Sequence, residues 1–211
     1  LFSLLLVDAS PFRGSCYNIC LKLDAHFKQK DFEVTRLKVY DMNISECLGC
    51  YSEDPLKCTY PCVLQDDMEK VYHALLNSDA AVFVTPTYWS NVPGKLKNLV
   101  DRLTSLENNG YMLEGLVAAV IAVQEVSGGL ETASWLASTL NQMGAMIPPY
   151  AIQVFYQQQT NDALMKSVGS QRFAKEFWGE HDLEVLAENI FQLCKLEMKR
   201  LNFGFKQREN G

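Results

Sequence analysis

Continuous apolar runs alternate with amphipathic stretches from one end of the chain to the other. Residues 4–7, 80–84 and 116–123 are unbroken apolar segments, the pattern of strands buried on both faces. Residues 32–39 and 151–155, the latter behind the stiff Pro148-Pro149 corner, complete five predicted strands. Between them apolar positions recur at helical spacing. Cys20, Leu23 and Phe27 share a face within 18–30, as do Leu96, Leu99, Val100 and Leu103 within 93–106. Met68, Val71, Tyr72, Leu75 and Leu76 form a stripe after Asp66, which stands at capping-box spacing from Glu69. Residues 130–143 are a further predicted helix, and 183–199 carry Leu183, Leu186, Ala187, Ile190, Cys194 and Met198 inward. Two stretches have no period: a cysteine-rich loop at 41–65, and an excursion at 156–181 with a short predicted helix near 172–178.

Five β-α units at this spacing predict an α/β fold, a doubly wound five-stranded parallel sheet with helices on both faces. No repeat or low-complexity linker divides the chain, so residues 1–211 are read as a single domain. Ligands of such sheets bind outside the carboxyl ends of the strands, where strand order reverses. The loops after strands one, three and four are therefore the ones to search for chemistry.

Charge and cysteine content narrow the classes. A net charge of −6 argues against a nucleic-acid partner or a basic membrane-surface protein. The longest apolar run is far too short for a membrane span. Residues 1–7 lack the basic head and small-residue cleavage site of a signal peptide, and read as a first strand with a few preceding residues missing. Seven cysteines are an odd number, and four crowd into residues 47–62. That distribution suits clustered thiolates in a reducing cytoplasm better than an extracellular disulfide framework.

The loop after strand one offers hydroxyls at Ser10 and Ser15, an amide at Asn18, a guanidinium at Arg13 and a turn at Gly14, directly before a helix N-terminus. Such an end binds phosphate through its open N–H groups, although the same Ser and Asn residues also serve as plain helix caps. Neither the glycine-rich dinucleotide fingerprint nor a P-loop is present. After strand three, Pro86, Thr87, Tyr88, Trp89, Ser90 and Asn91 suit the edge and face of a flat heteroaromatic ligand. Rim packing, a subunit contact through Trp89 and a helix cap at Asn91 are the plainer readings. Ser127, Gly128 and Gly129 after strand four allow close backbone approach to a ligand, or form an ordinary turn. Asp66-Asp67 reads as helix capping, and Lys97, Asp101 and Arg102 as a solvated, salt-bridged helix face. His26, His73 and His181 have no partner at metal or triad spacing.

Cys47-x2-Cys50-x7-Cys58-x3-Cys62 is the densest chemical feature. Four thiolates can wrap a [4Fe–4S] cluster, hold zinc tetrahedrally, or remain a redox-sensitive structural loop. We rank the iron–sulfur reading first and zinc third, because these four sit together in a chain with three cysteines elsewhere. Cys16, Cys20 and Cys194 lie on or beside helices and read as small core residues, with Cys16 also close to the first loop.

Three stretches together resemble the flavodoxin-like NAD(P)H-dependent FMN reductases, including their iron–sulfur flavoprotein branch. They are the 10–18 loop, the segment from Cys47-Leu48-Gly49-Cys50 to Cys62 and Asp66-Asp67-Met68, and Thr85-Pro86-Thr87-Tyr88-Trp89 running into Leu96-Lys97-Asn98-Leu99-Val100-Asp101-Arg102. The resemblance extends over residues 2–155 and implies strand order 2-1-3-4-5. It implies FMN, with Ser10, Arg13, Ser15 and Asn18 around the phosphate, residues 86–91 along the isoalloxazine and Gly128-Gly129 closing the other side. Where that branch has a compact third cysteine, this chain has Ser52-Glu53-Asp54, and Cys58 follows later. NAD(P)H would bind transiently over the flavin, which carries the chemistry without a catalytic side chain. The acceptor would be a quinone, another small molecule or a redox protein. A homodimer or homotetramer is implied, with Trp89, Tyr111 and the 156–178 excursion as candidate contacts. The alternative is an electron carrier between protein partners, without a substrate of its own.

Overall fold

The computed structural model describes residues 1–157 and 179–196. Five strands, β1 (Phe2–Asp8), β2 (Phe32–Lys38), β3 (Ala80–Pro86), β4 (Val117–Gln124) and β5 (Ile152–Tyr156), lie in the order β2-β1-β3-β4-β5, every neighbour parallel. This is the expected doubly wound sheet. β3 is the central strand, and β1 lies between it and the edge strand β2, with Leu6 paired to Arg36 on one side and Val82 on the other. Alternate side chains leave each strand on opposite faces, which divides the core in two. Leu4, Leu6, Val82, Val84, Ala119 and Ile121 pack under α1 (Ser15–Lys28) and the last described helix, α7 (Glu180–Cys194). Leu5, Val7, Ala81, Phe83, Ala118 and Val120 pack under α3 (Met68–Leu76), α4 (Gly94–Arg102) and α6 (Gly129–Gln142). No described helix is long and apolar enough to cross a membrane.

Several boundaries differ from the sequence reading for local reasons. α1 starts at Ser15, because the Asn18 N–H already donates to the Gly14 carbonyl at 3.0 Å. The aperiodic 41–65 loop contains one helical turn, α2 (Cys50–Glu53), and a 3-10 turn at Pro55–Lys57. Asp66 does not form the expected capping box: its carboxylate accepts the Met68 N–H at 3.0 Å and the Ser45 N–H at 2.8 Å. The predicted 93–106 helix is two helices, α4 and α5 (Thr104–Asn108). The break is at Arg102, whose carbonyl accepts the Tyr72 hydroxyl at 2.7 Å, while the Leu106 N–H turns to Leu103 instead. The predicted 172–178 helix and the inward placing of Met198 lie outside the described residues.

The Tyr72 bond thus shapes the α4–α5 corner from a buried position. Tyr72→Phe leaves the Arg102 carbonyl without its partner and is expected to cost roughly 1–3 kcal/mol. Urea unfolding monitored by circular dichroism checks this, as a lower midpoint at unchanged slope.

Candidate functional site

The loops singled out by the sequence begin side by side at the carboxyl edge. The Ala9 N–H donates to the Val84 carbonyl at 2.9 Å and the Thr87 N–H to the Val123 carbonyl at 2.8 Å, so sheet pairing continues past the strand ends. In the first loop, Asp8 is buried, and its Oδ1 accepts both the N–H and the hydroxyl of Ser10, at 2.9 and 2.6 Å. The Ser10 proton is thereby turned inward, and the loop is folded over the strand end. α1 then opens at Gly14 with no side-chain cap and no acidic residue in its first turn, leaving its N–H groups and positive dipole end for an anion. Arg13 and Asn18 are exposed there and Ser15 is half-buried. Cys16 is in the core, where burial first and Asp8 second push its thiol up to about 12.

Arg13 is not the only cation beside this loop. Its guanidinium lies 5.5 Å from the Tyr17 ring centroid, and that of Arg36 lies 5.0 Å from the same ring. With Asp8, Lys38 and Asp41 they line a cavity of about 260 Å³. Arg36 and Lys38, at the end of β2, escaped the sequence reading because strand residues carry no loop signature.

The third-strand loop is a two-residue hairpin. Tyr88 and Asn91 exchange both backbone hydrogen bonds, at 2.8 and 3.1 Å, and Trp89 and Ser90 between them have φ of 52° and 58°. Two successive left-handed residues make the tight turn that normally takes Asn-Gly, and each non-glycine there costs on the order of 1 kcal/mol. Asn91 closes this turn and does not cap α4, whose N-cap is Pro93. Gly128 packs against it: at φ 87°, a Cβ there would stand 2.6 Å from Ser90 Oγ and 2.8 Å from Ser90 Cα. Gly129 donates its N–H to Gln124 Oε1 at 2.7 Å, and Ser127 is exposed beside it. The second and third loops are therefore one joined wall. Within it the buried Thr87 hydroxyl has no partner.

The cysteine loop runs along the other end of α4. All four thiols, Cys47, Cys50, Cys58 and Cys62, line one cavity of about 280 Å³ walled by Arg102 and Ser105. Burial first, then the three other thiols, push the Cys58 thiol up from its ordinary value. No three His, Cys, Asp or Glu side chains among the described residues already converge on a metal-holding point.

The loop is held by side chains of α4, α5 and the residue after α5. Asn108 and Asn109 donate to the Cys58 carbonyl at 2.9 and 2.8 Å, and Ser105 donates to Thr59 at 2.5 Å. Arg102 donates to the Ser45 and Leu64 carbonyls at 3.2 and 3.4 Å, and pairs with Asp66 at 2.8 Å. Arg102 is therefore buried, 2% exposed, and does not belong to a solvated face, because an equally buried carboxylate and the loop's carbonyls replace its water. Lys97 and Asp101 do form the expected exposed pair.

A family model described as NADPH-dependent FMN reductase matches residues 2–160. The chain is 36% identical over 130 residues to an iron–sulfur flavoprotein of Methanocaldococcus jannaschii, covering 60% of this chain and 64% of that protein. It is 32% identical over 148 residues to an iron–sulfur flavoprotein of Archaeoglobus fulgidus, covering 69% and 71%. The chain belongs to the NADPH-dependent FMN reductase family, in its iron–sulfur flavoprotein branch. The matches span 64–71% of the length of these two relatives. The fold also superposes on RosB, solved with a bound flavin phosphate intermediate, at a TM-score of 0.77 and 14% identity, covering 99% of this chain and 84% of that one. At that identity the likeness shows the fold.

The residues of this family member fit both groups. The uncapped α1 end with Arg13 suits a phosphate, and the partnerless Thr87 hydroxyl suits a heteroaromatic edge. Four thiols around one cavity suit a thiolate-bound cluster.

Asp66 ties the site to pH. Burial alone would raise its pKa, but Arg102 and the Ser45 and Met68 N–H groups outweigh burial and hold it at about 2. A depressed carboxylate contributes stability above its unfolded pKa of about 4 and loses it as pH falls toward 2. Asp66→Asn is expected to cost roughly 3 kcal/mol at pH 7, since it leaves Arg102 unpaired. Urea titrations across pH 7 to 2 should show the gap to wild type narrowing by about 2 kcal/mol below pH 4.

Proposed function

We propose that this chain is an FMN-dependent oxidoreductase with a [4Fe–4S] cluster in its four-cysteine loop. It takes electrons from a reduced nicotinamide or a redox protein and delivers them to a quinone, a flavin or another small acceptor. The observation that carries this reading is the pair of built sites at the two ends of α4: the joined hairpin wall before Gly94 and the thiol-lined cavity at Arg102. Bound FMN supplies hydride and single-electron exchange, and the cluster a single-electron centre.

The side chains divide the work. Arg13, Ser15, Asn18 and the N–H groups of α1 hold the phosphate, in a loop whose shape Ser10 sets through Asp8. Pro86, Thr87 and the 88–91 hairpin would orient the ring, with the Thr87 hydroxyl as a polar partner and Tyr88 as an aromatic surface for it. Ser127, Gly128 and Gly129 form the opposing wall. Cys47, Cys50, Cys58 and Cys62 hold the cluster. A reduced nicotinamide would bind transiently over the flavin, since the sequence has no dinucleotide fingerprint of its own. Phe12, Tyr88, Trp89, Val126 and Leu130 are exposed on these loops, an apolar rim that a second copy of the chain covers.

An anaerobic absorption spectrum of the purified protein, with FMN, iron and sulfide assays, tests the reading. Flavin bands, broad visible absorbance and about four irons per chain support it; flavin without iron removes the cluster. NADPH oxidation with a quinone supports the enzyme, and reduction by ferredoxin-like proteins alone supports a carrier. Gly128→Ala, which drives a methyl into Ser90 at positive φ, is expected to weaken FMN binding at least about tenfold, as read by flavin fluorescence titration.

A further inference from the structure

Arg102 is the one arginine among the described residues that lines the thiol cavity, and its donors do not balance. A guanidinium has five N–H groups. One terminal nitrogen serves Ser45 O at 3.2 Å and Asp66 Oδ2 at 2.8 Å, and the other serves Leu64 O at 3.4 Å and Asp66 Oδ1 at 3.3 Å. The Nε–H is buried and has no acceptor, in a side chain only 1% exposed. A donor left unmet at such depth costs about 1–3 kcal/mol, and native structures rarely leave one without a reason. The other cation on this cavity, Lys57, is half-exposed and already paired with Glu53. A residue that lines this cavity together with the four cysteines thus carries a buried positive charge and one unmet donor.

We propose that Arg102 is a positioning residue for the sulfur centre: its Nε–H donates to a sulfur of the thiolate-bound cluster. This rests on the cluster reading above. Asp66, Ser45 and Leu64 hold the guanidinium plane fixed, so the remaining donor is preorganised. A hydrogen bond to sulfur and a nearby buried charge both favour the more negative, reduced form and raise its reduction potential.

Arg102→Lys tests this in the full-length, cluster-loaded protein, because lysine keeps the charge opposite Asp66 and has no Nε–H. With iron and FMN contents equal to wild type, the reduced-to-oxidised ratio at a fixed potential is expected to fall about tenfold, or about 59 mV for one electron. A purely structural role for Arg102 predicts an unshifted potential, and that result overturns the proposal. Should the variant lose its iron, the wild type decides the matter: labelled with 15N-arginine and reduced, it is expected to show a 15N coupling to the cluster by pulsed electron paramagnetic resonance, and absence of coupling overturns the proposal. A wild-type chain that binds FMN but no iron overturns the cluster reading itself, and the Arg102 assignment with it. Bound iron without a shift or a coupling overturns Arg102 alone.

Discussion

A guanidinium taken out of water must have its charge and donors met elsewhere, and Arg102 is met largely by the cysteine-rich segment. Its partners are the carboxylate of Asp66 and the carbonyls of Ser45 and Leu64, on either side of the four thiols. Breaking a buried pair of this kind by removing one partner typically costs 3–5 kcal/mol, so the loop cannot leave α4 without stranding a charge. An aperiodic stretch of polar residues and cysteines has little apolar surface with which to order itself. Here order comes from this pair and from Ser105, Asn108 and Asn109, which hold the backbone at Thr59 and Cys58.

The same helix links this loop to the carboxyl edge of the sheet. α4 starts just beyond the strained hairpin of residues 88–91 and ends at Arg102, about 13 Å of helix. At its first turn Lys95 donates to the carbonyls of Tyr40 and Met42, so the cysteine-rich segment is fastened at both ends of α4. Tyr72, reaching across from α3 to the Arg102 carbonyl, closes the corner. A disturbance at either end thus meets a rigid element whose other end bears the second site.

What could be read from the sequence was local and periodic. Three of the five strands announced themselves as unbroken apolar runs, and the three candidate loops followed from the topology that strands at this spacing impose. The 10–18 loop stood out as a candidate because its residues stand next to a helix N-terminus in the chain itself. Arg102 was misread because its partner lies 36 positions away; next to Lys97 and Asp101 it looks like one more surface charge. Arg36 and Lys38 reach the cavity beside the 10–18 loop only because β2 pairs with β1. The hairpin at Trp89-Ser90 has neither the glycine nor the asparagine that marks such turns, and only its packing against Gly128 makes it intelligible. Residues 158–178 and their expected role as a subunit contact lie outside the described residues.

On the proposed reading the cavity at the carboxyl end of α4 takes an iron–sulfur body, and the loops at its other end take FMN. Anomalous diffraction at the iron edge, from crystals grown anaerobically, tests it most directly. A strong iron peak enclosed by Cys47, Cys50, Cys58 and Cys62 with Arg102 beside it, and flavin density against the 88–91 hairpin, are the expected result. Flavin density together with a cavity free of iron signal would contradict it.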